Sequence, residues 1–218
     1  MKSLLATAAL LACGLLAGCL GGLKNDVPAP VIYRISAPEI AAAGETLAAD
    51  LLVTVESTAP GLDGTGIAGR WPGLRVDYLA GARWPVRTPA LVESALIEAL
   101  QDTGRLRSVQ GKFGRFGTTH TLALEVRRFE ADYTAGELPV AQVALAVTLG
   151  RLADRQVLAS FTVEAEEPAS ANRVSAVVAA IDAAFGRAAG ELAARSLEAI
   201  AADLAQQPRA AVTASQEL

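Results

Sequence analysis

Three segments in the middle of the chain alternate apolar and polar residues with a period of two. In HTLALEVRRFEADY (120–133) the in-phase apolar set is Leu122, Leu124 and Val126. In PVAQVALAVTLG (139–150) it is Val143, Leu145, Val147 and Leu149, and in RQVLASFTVEAE (155–166) it is Val157, Ala159, Phe161 and Val163. Successive side chains of a strand point to opposite faces, so each of these strands has one buried and one wetter face. The links TAGELP (134–139) and RLADRQ (151–156) are short, and Ala153-Asp154 suits a hairpin turn. The pattern predicts an antiparallel meander.

Two other stretches change the period. Between Thr88 and Gly104, Leu91, Val92, Ala95, Leu96, Ala99 and Leu100 form an apolar stripe, with Glu93, Glu98, Gln101 and Asp102 off it. Thr88 is placed to cap this helix, Pro89 suits its first position and Gly104 ends it. A longer helix is predicted over about 171–203, where Val174, Val177, Val178, Ile181, Phe185, Ala188, Leu192 and Ala199 recur at steps compatible with one face. Ser170 or Asn172 would cap it, and Arg187–Glu191 and Glu191–Arg195 add pairs of opposite charge four residues apart. Upstream, VIYRIS (31–36) and DLLVTVES (50–57) read as short strands. Residues 66–84 read as a turn-rich hairpin with Trp71-Pro72-Gly73 at the bend and LRVDYL as the second arm. The economical architecture is α+β: one mixed, largely antiparallel β-sheet packed by two α-helices, over residues 32–205.

The N-terminus follows a different rule. Lys2 gives a charged start, and Leu4–Leu16 is an apolar run of about thirteen residues, where a helix crossing a bilayer needs ~20. That describes a secretory signal. Leu16-Ala17-Gly18-Cys19 matches the bacterial lipobox. Cleavage between Gly18 and Cys19 would remove residues 1–18, and Cys19 would receive diacylglyceryl and acyl (palmitate-type) groups. Two or three acyl chains hold a protein stably to a membrane, where one does so marginally. Residues 19–31 then form the lipidated N-terminus and a flexible tether, and twelve residues extended at ~3.3 Å each reach about 40 Å. Leu20 in place of Asp after the cysteine favours the periplasmic face of the outer membrane. Residues 206–218 form a tail with no packing signal, expected to be disordered.

Composition narrows the chemistry. With 19 Lys+Arg against 23 Asp+Glu the net charge is −4, and the dispersed arginines give no clustered basic face for nucleic acid. Cys13 leaves with the signal and Cys19 is consumed by its thioether, so no thiol remains for a disulfide, a metal or a nucleophile. His120 is the single histidine and sits in phase with Leu122 at a strand start, the position of a strand-end residue. A metal would have to rest on carboxylates such as Glu164 and Glu166, for which an exposed, charged strand end is the commoner meaning. GKFGRFG (111–117) lacks the spacing of a phosphate loop and reads as a flexible connection, with Lys112 and Arg115 as candidates for partner contact. No Gly-x-Ser-x-Gly elbow is present. The reading is therefore non-enzymatic, with no catalytic residue, no metal and no cofactor beyond the acyl groups on Cys19. Trp71 and Trp84 both flank prolines. They are either buried anchors beside the sheet or an exposed aromatic rim for lipid or protein contact.

The order of parts carries a resemblance. A lipobox is followed by YRISAP (33–38), LLVTVESTAPGLDGTGIAGR (51–70) and LRVDYLAGARWPVRTPALVESALIEALQDTGRLRSV (74–109), then LEVRRFEADY (124–133) and an Ala-rich terminal helix. This resembles the ABC-type transport auxiliary lipoprotein family, the paraquat-inducible-protein-C-like lipoproteins. The segment from Tyr78 to Trp84 before a Pro-initiated helix is its most telling part. After GLD the family tends to show a polar TDRIAYR-type segment, where this chain has GTGIAGRW. The resemblance implies an auxiliary component of an ABC transporter with an MCE-domain protein. The lipoprotein would dock the periplasmic MCE conduit at the outer membrane and help pass phospholipid, supporting membrane integrity. It also motivates a homo-oligomeric ring, formed through sheet edges or the GLDGTG loop. A periplasmic lipoprotein that binds peptidoglycan or activates a cell-wall synthase would share the anchor, the tether and a mixed fold. Cys19→Ser is expected to abolish membrane attachment while the domain stays folded; flotation after a high-salt wash checks this, and a variant still floating contradicts it.

Overall fold

The computed structural model describes residues 28–41, 44–134 and 136–207. The signal, Cys19, most of the tether and the tail from residue 208 lie outside the described residues. In chain order the elements are β1 (Val31–Ile32), β2 (Leu47–Thr58), β3 (Gly66–Trp71), β4 (Arg75–Arg83), α1 (Thr88–Asp102), β5 (Leu106–Gln110), β6 (His120–Asp132), β7 (Val140–Arg151), β8 (Gln156–Pro168) and α2 (Val174–Gln206). The strands form one mixed sheet packed by two helices, the predicted α+β class.

The meander forms as its alternation requires. β6 pairs antiparallel with β7 from His120↔Arg151 to Asp132↔Val140, and β7 pairs antiparallel with β8 from Val140↔Pro168 to Arg151↔Gln156. This register sets Leu122 beside Leu149, Leu124 beside Val147 and Val126 beside Leu145, all buried. The β7–β8 turn is held by Asp154, whose carboxylate accepts the Arg151 guanidinium at 2.7 and 3.0 Å and the Gln156 N–H at 3.3 Å. The arginine hydrogen bonds hold the Asp154 carboxyl at about 2.

The other edge of β6 is divided between two strands. β2 lies parallel beside its first half, from Leu51↔His120 to Thr58↔Val126, and β3 lies parallel beside its last residues, from Ala68↔Glu130 to Arg70↔Asp132. β4 folds back antiparallel on β3, β1 adds parallel to β4, and β5 adds parallel to the far edge of β2. Sequence alternation missed β5, a five-residue edge strand. Its place is set by pairing with β2 and by the buried Leu106 and Val109. β1 is shorter than the expected strand 31–36. Beyond it the chain is held by the buried Ile35 and by the Ser36 N–H, which donates to the Asp182 carboxylate of α2 at 2.7 Å.

Neither helix has the predicted N-terminal cap, although Pro89 stands in the first turn of α1 as expected. α1 starts after an extended Arg87 with no side-chain cap, and the Thr88 hydroxyl donates at 3.3 Å to the Gly64 carbonyl instead. It stops where Gly104 takes a φ of 60°, the left-handed conformation that glycine adopts without a Cβ penalty. α2 likewise starts after an extended Arg173, not at Ser170 or Asn172, and runs for 33 residues against β7 and β8. Its buried stripe includes Val177, Ile181, Phe185, Leu192 and Ile200.

Three aromatics tie the layers together. Trp84 meets Phe129 of β6 edge-on, with ring centroids 5.8 Å apart at 62°, and Phe129 meets Phe185 of α2 at 6.1 Å and 73°. All three are at most 1% exposed, and such edge-to-face pairs add about 0.5–1.5 kcal/mol beyond the area they bury. Phe129→Ala removes the middle ring and is expected to cost about 3–5 kcal/mol of stability. Urea denaturation checks this, and a loss below about 1 kcal/mol would show that the three rings do not form a coupled core.

Candidate functional site: two poles of one strand

β6 has 13 residues, about 40 Å at ~3.3 Å per residue. The β3–β4 hairpin projects beyond its C-terminal end, and the 111–119 connection leads into its N-terminal end. Apolar side chains are exposed at both.

At the C-terminal end, β3 runs parallel to β6 and places Trp71 over Tyr133, with stacked rings 4.7 Å apart and 2° from parallel. Gly69 leaves the space for this, since a Cβ there would lie 2.5 Å from the indole. The Arg75 guanidinium lies 5.2 Å from the indole centroid, within the range of a cation–π contact. Beyond this stack the chain turns through Pro72, Gly73 at φ 79° and Leu74 at φ 62°. The bend is the predicted one. Its leucine in the left-handed region is unusual, because a side chain there meets its own backbone. Leu74 is 99% exposed, and Val76 and Tyr78, on alternate positions of β4, are each 47% exposed. The Tyr78 hydroxyl donates to the Gly61 carbonyl at 3.0 Å. Val31 and Ile32 on β1 add more exposed apolar surface. β1 is parallel to β4 and so runs away from the hairpin tip, and the chain reaches Val31 from the tip side.

Charges brace the base of the hairpin. Arg70 pairs with Asp132, and the N–H and hydroxyl of Thr134 donate to the other Asp132 oxygen at 2.8 and 2.6 Å. Burial pushes the Asp132 carboxyl up, but Thr134 and Arg70 together outweigh it and leave it below its usual range. Glu130, with Arg70 at 3.8 Å, is pushed up by burial more than Arg70 and Arg128 pull it down.

At the opposite pole the 111–117 turn exposes Phe113 and Phe116, at 87% and 83%. The Gly114 N–H donates to the Gly111 carbonyl at 2.8 Å, and the Gln110 side-chain amide donates to the Phe116 carbonyl at 2.8 Å. Lys112 lies 5.3 Å from the Phe113 ring centroid, and Arg115 is exposed. At the adjoining start of β6 sits the buried His120. Its Nδ1 is 2.8 Å from the Thr119 hydroxyl and its Nε2 is 3.2 Å from the Asp203 carboxylate. Asp203 also accepts from Arg151 and, at 2.8 Å, from the Gln207 amide. The Thr119 hydroxyl lies between the Asp50 N–H at 2.9 Å and the Asp50 carbonyl at 3.2 Å. The cluster bolts the end of α2 to the start of β6 and the end of β7. The hydrogen bonds from Arg107 to Asp50 hold that carboxyl below its usual range.

The four residues singled out for partner contact therefore separate. Lys112 and Arg115 stay on the surface of one pole, and Trp71 forms the half-buried base of the other. Trp84 leaves the set, because it is 1% exposed against Phe129 and offers no ring surface to a partner. Glu164 is exposed and Glu166 accepts from the Gln142 amide at 3.1 Å. Among the described residues, no group of His, Cys, Asp or Glu side chains is arranged to hold a metal, and no helix is long and apolar enough to cross a membrane. Leu74, Val76 and Tyr78 escaped sequence reasoning, although an apolar residue directly after a Pro-Gly bend was a signal. Phe113 and Phe116 escaped it too, in the loop chosen for its charges.

Comparison with known proteins places this geometry. The family described as ABC-type transport auxiliary lipoprotein component matches residues 33–193. The crystal structure of protein XCC0632 from Xanthomonas campestris, of the DUF330 family, superposes with a TM-score of 0.74 at 29% identity, covering 80% of this chain and 99% of that one. An uncharacterized protein shares the fold with a TM-score of 0.59 at 13% identity, over 77% of this chain and 99% of its own. No curated protein matches the chain.

The raised Glu130 carboxyl yields a signed test. An acid whose folded pKa lies above its unfolded one favours the folded state below both values and loses that contribution as pH rises through the folded one. Glu130→Gln is therefore expected to raise the Tm at pH 7, with the gain vanishing toward pH 4. Thermal melts across that range check this, and a lower Tm at pH 7 would show the Arg70 pairing to outweigh burial.

Proposed function

The chain belongs to the ABC-type transport auxiliary lipoprotein component family, and from that premise we propose that it forms the outer-membrane end of an MCE-type phospholipid transport system. In this reading it is a non-enzymatic lipoprotein, acylated at Cys19, that docks the periplasmic MCE conduit. The observation that supports it best is the separation of exposed apolar groups to the two ends of β6. The chain reaches Val31 from the hairpin end, which supports reading the 111–117 turn as the partner contact. Phe113 and Phe116 offer apolar contact there, and Lys112 and Arg115 add charge steering. Copies of the chain would assemble along β8, whose outer edge has no strand partner among the described residues and is a ready template for pairing.

The test is detergent extraction and affinity purification of the full-length lipoprotein from its native membranes, with mass spectrometry of what co-purifies. An MCE-domain protein is expected in the eluate. The double variant Phe113→Asp and Phe116→Asp is expected to lower its recovery roughly tenfold or more, since exposed aromatics at a contact are common hot spots. Recovery of cell-wall synthases or peptidoglycan fragments in place of an MCE protein would overturn the assignment.

A further inference from the structure

We propose that the tip of the β3–β4 hairpin is a second, protein-borne membrane contact: Leu74, with Val76 and Tyr78 behind it, inserts into the headgroup–acyl boundary of the bilayer that carries the lipid anchor. The inference rests on the acyl anchor at Cys19 and not on the identity of the transport partner.

Leu74 combines two unfavourable properties. Its φ of 62° is one that glycine would adopt without strain, and its side chain is 99% exposed, where a polar residue would be well hydrated. Among the described residues no contact compensates for either. An apolar phase outside the chain would. Val76 and Tyr78 follow on alternate positions of β4 and share one face, and the Tyr78 ring lies over Gly66 with its hydroxyl donating to the Gly61 carbonyl. Asp77, between them, projects from the opposite side of the strand, where it is in register with Gly69. Tyr and Trp are the side chains that concentrate where hydrocarbon meets headgroups. The Trp71–Tyr133 stack below the turn stiffens the hairpin, and the exposed Arg75 beside it supplies a cation at headgroup level.

The occupant follows from where the described chain begins. Eleven residues lie between Cys19 and Val31, and β1 runs parallel to β4, so the described chain enters β1 from the side of the hairpin tip. Fully extended, that stretch reaches about 40 Å, which brings the tip within range of the bilayer that carries the anchor. A protein partner fits less well. A standard interface takes about 800 Å² from each side, more than three side chains on a two-stranded projection supply.

The mature, lipidated chain makes the test direct. Leu74→Cys and, separately, Phe113→Cys would each introduce the single reactive thiol, because Cys13 leaves with the signal and Cys19 is thioether-linked. Each is labelled with the environment-sensitive dye NBD and reconstituted into phosphatidylethanolamine–phosphatidylglycerol vesicles with or without doxyl-labelled lipid. The label at position 74 is expected to emit further to the blue and to be quenched severalfold more by doxyl lipid than the label at 113. Val76→Cys repeats the reading behind the tip. Water-like emission at 74 in protein that floats with vesicles would overturn the proposal. So would shielding at 74 that follows protein density rather than doxyl lipid, which identifies a second copy as the occupant. Failure to float would remove the anchor, and the proposal with it, without bearing on the transport partner.

Discussion

β6 carries hydrogen bonds on both edges along nearly its whole length, and on one edge it must satisfy two strands in tandem. That constraint sets the shape of the molecule. Because β2 occupies the first half of the edge, β3 meets β6 only at its last residues, and the β3–β4 hairpin has to continue past the end of the sheet. Because β5 and β6 flank β2 on opposite sides, the chain between them has to cross at the other end. The two surface projections are thus consequences of strand pairing, and their spacing is the length of one strand.

Two buried devices hold the ends in place. Near the hairpin the Trp84–Phe129–Phe185 chain of rings joins the residue after β4, the sheet and α2 into one apolar core. At the far end the joint is polar, with His120, Thr119, Arg151 and Gln207 converging on Asp203 and the Asp50 backbone. Buried polar groups are costly unless each is partnered, and here both ring nitrogens of His120 are. The sole histidine thus serves as a structural joint, directly beneath a connection that exposes two phenylalanines.

Much of this was legible in the chain and some of it could not be. Clean alternation over 120–166 gave the meander, and an Ala-rich stripe gave α2, because each element buries one face and its composition records that. The Pro72-Gly73 bend was legible because its backbone chemistry is local. The parallel docking of β2 and β3 on β6 leaves no local trace, and neither does the pairing that makes a strand of Leu106–Gln110. The helix starts misled because Ser170, Asn172 and Thr88 look like caps, while the backbone begins each helix elsewhere and uses Thr88 on Gly64. Trp71 and Trp84 stand in similar sequence, each next to a proline, yet one forms a half-exposed stack and the other the core. Only tertiary packing separates them.

In the arrangement proposed here, this lipoprotein has a membrane end and a partner end, one strand apart. A photoreactive residue placed at Leu74 or at Phe113 in living cells tells the two ends apart, with the crosslinked products read by mass spectrometry. The two-ended arrangement predicts phospholipid adducts at position 74 and a protein partner at position 113. Protein adducts at 74 with lipid at 113, or the same partner from both positions, would contradict it.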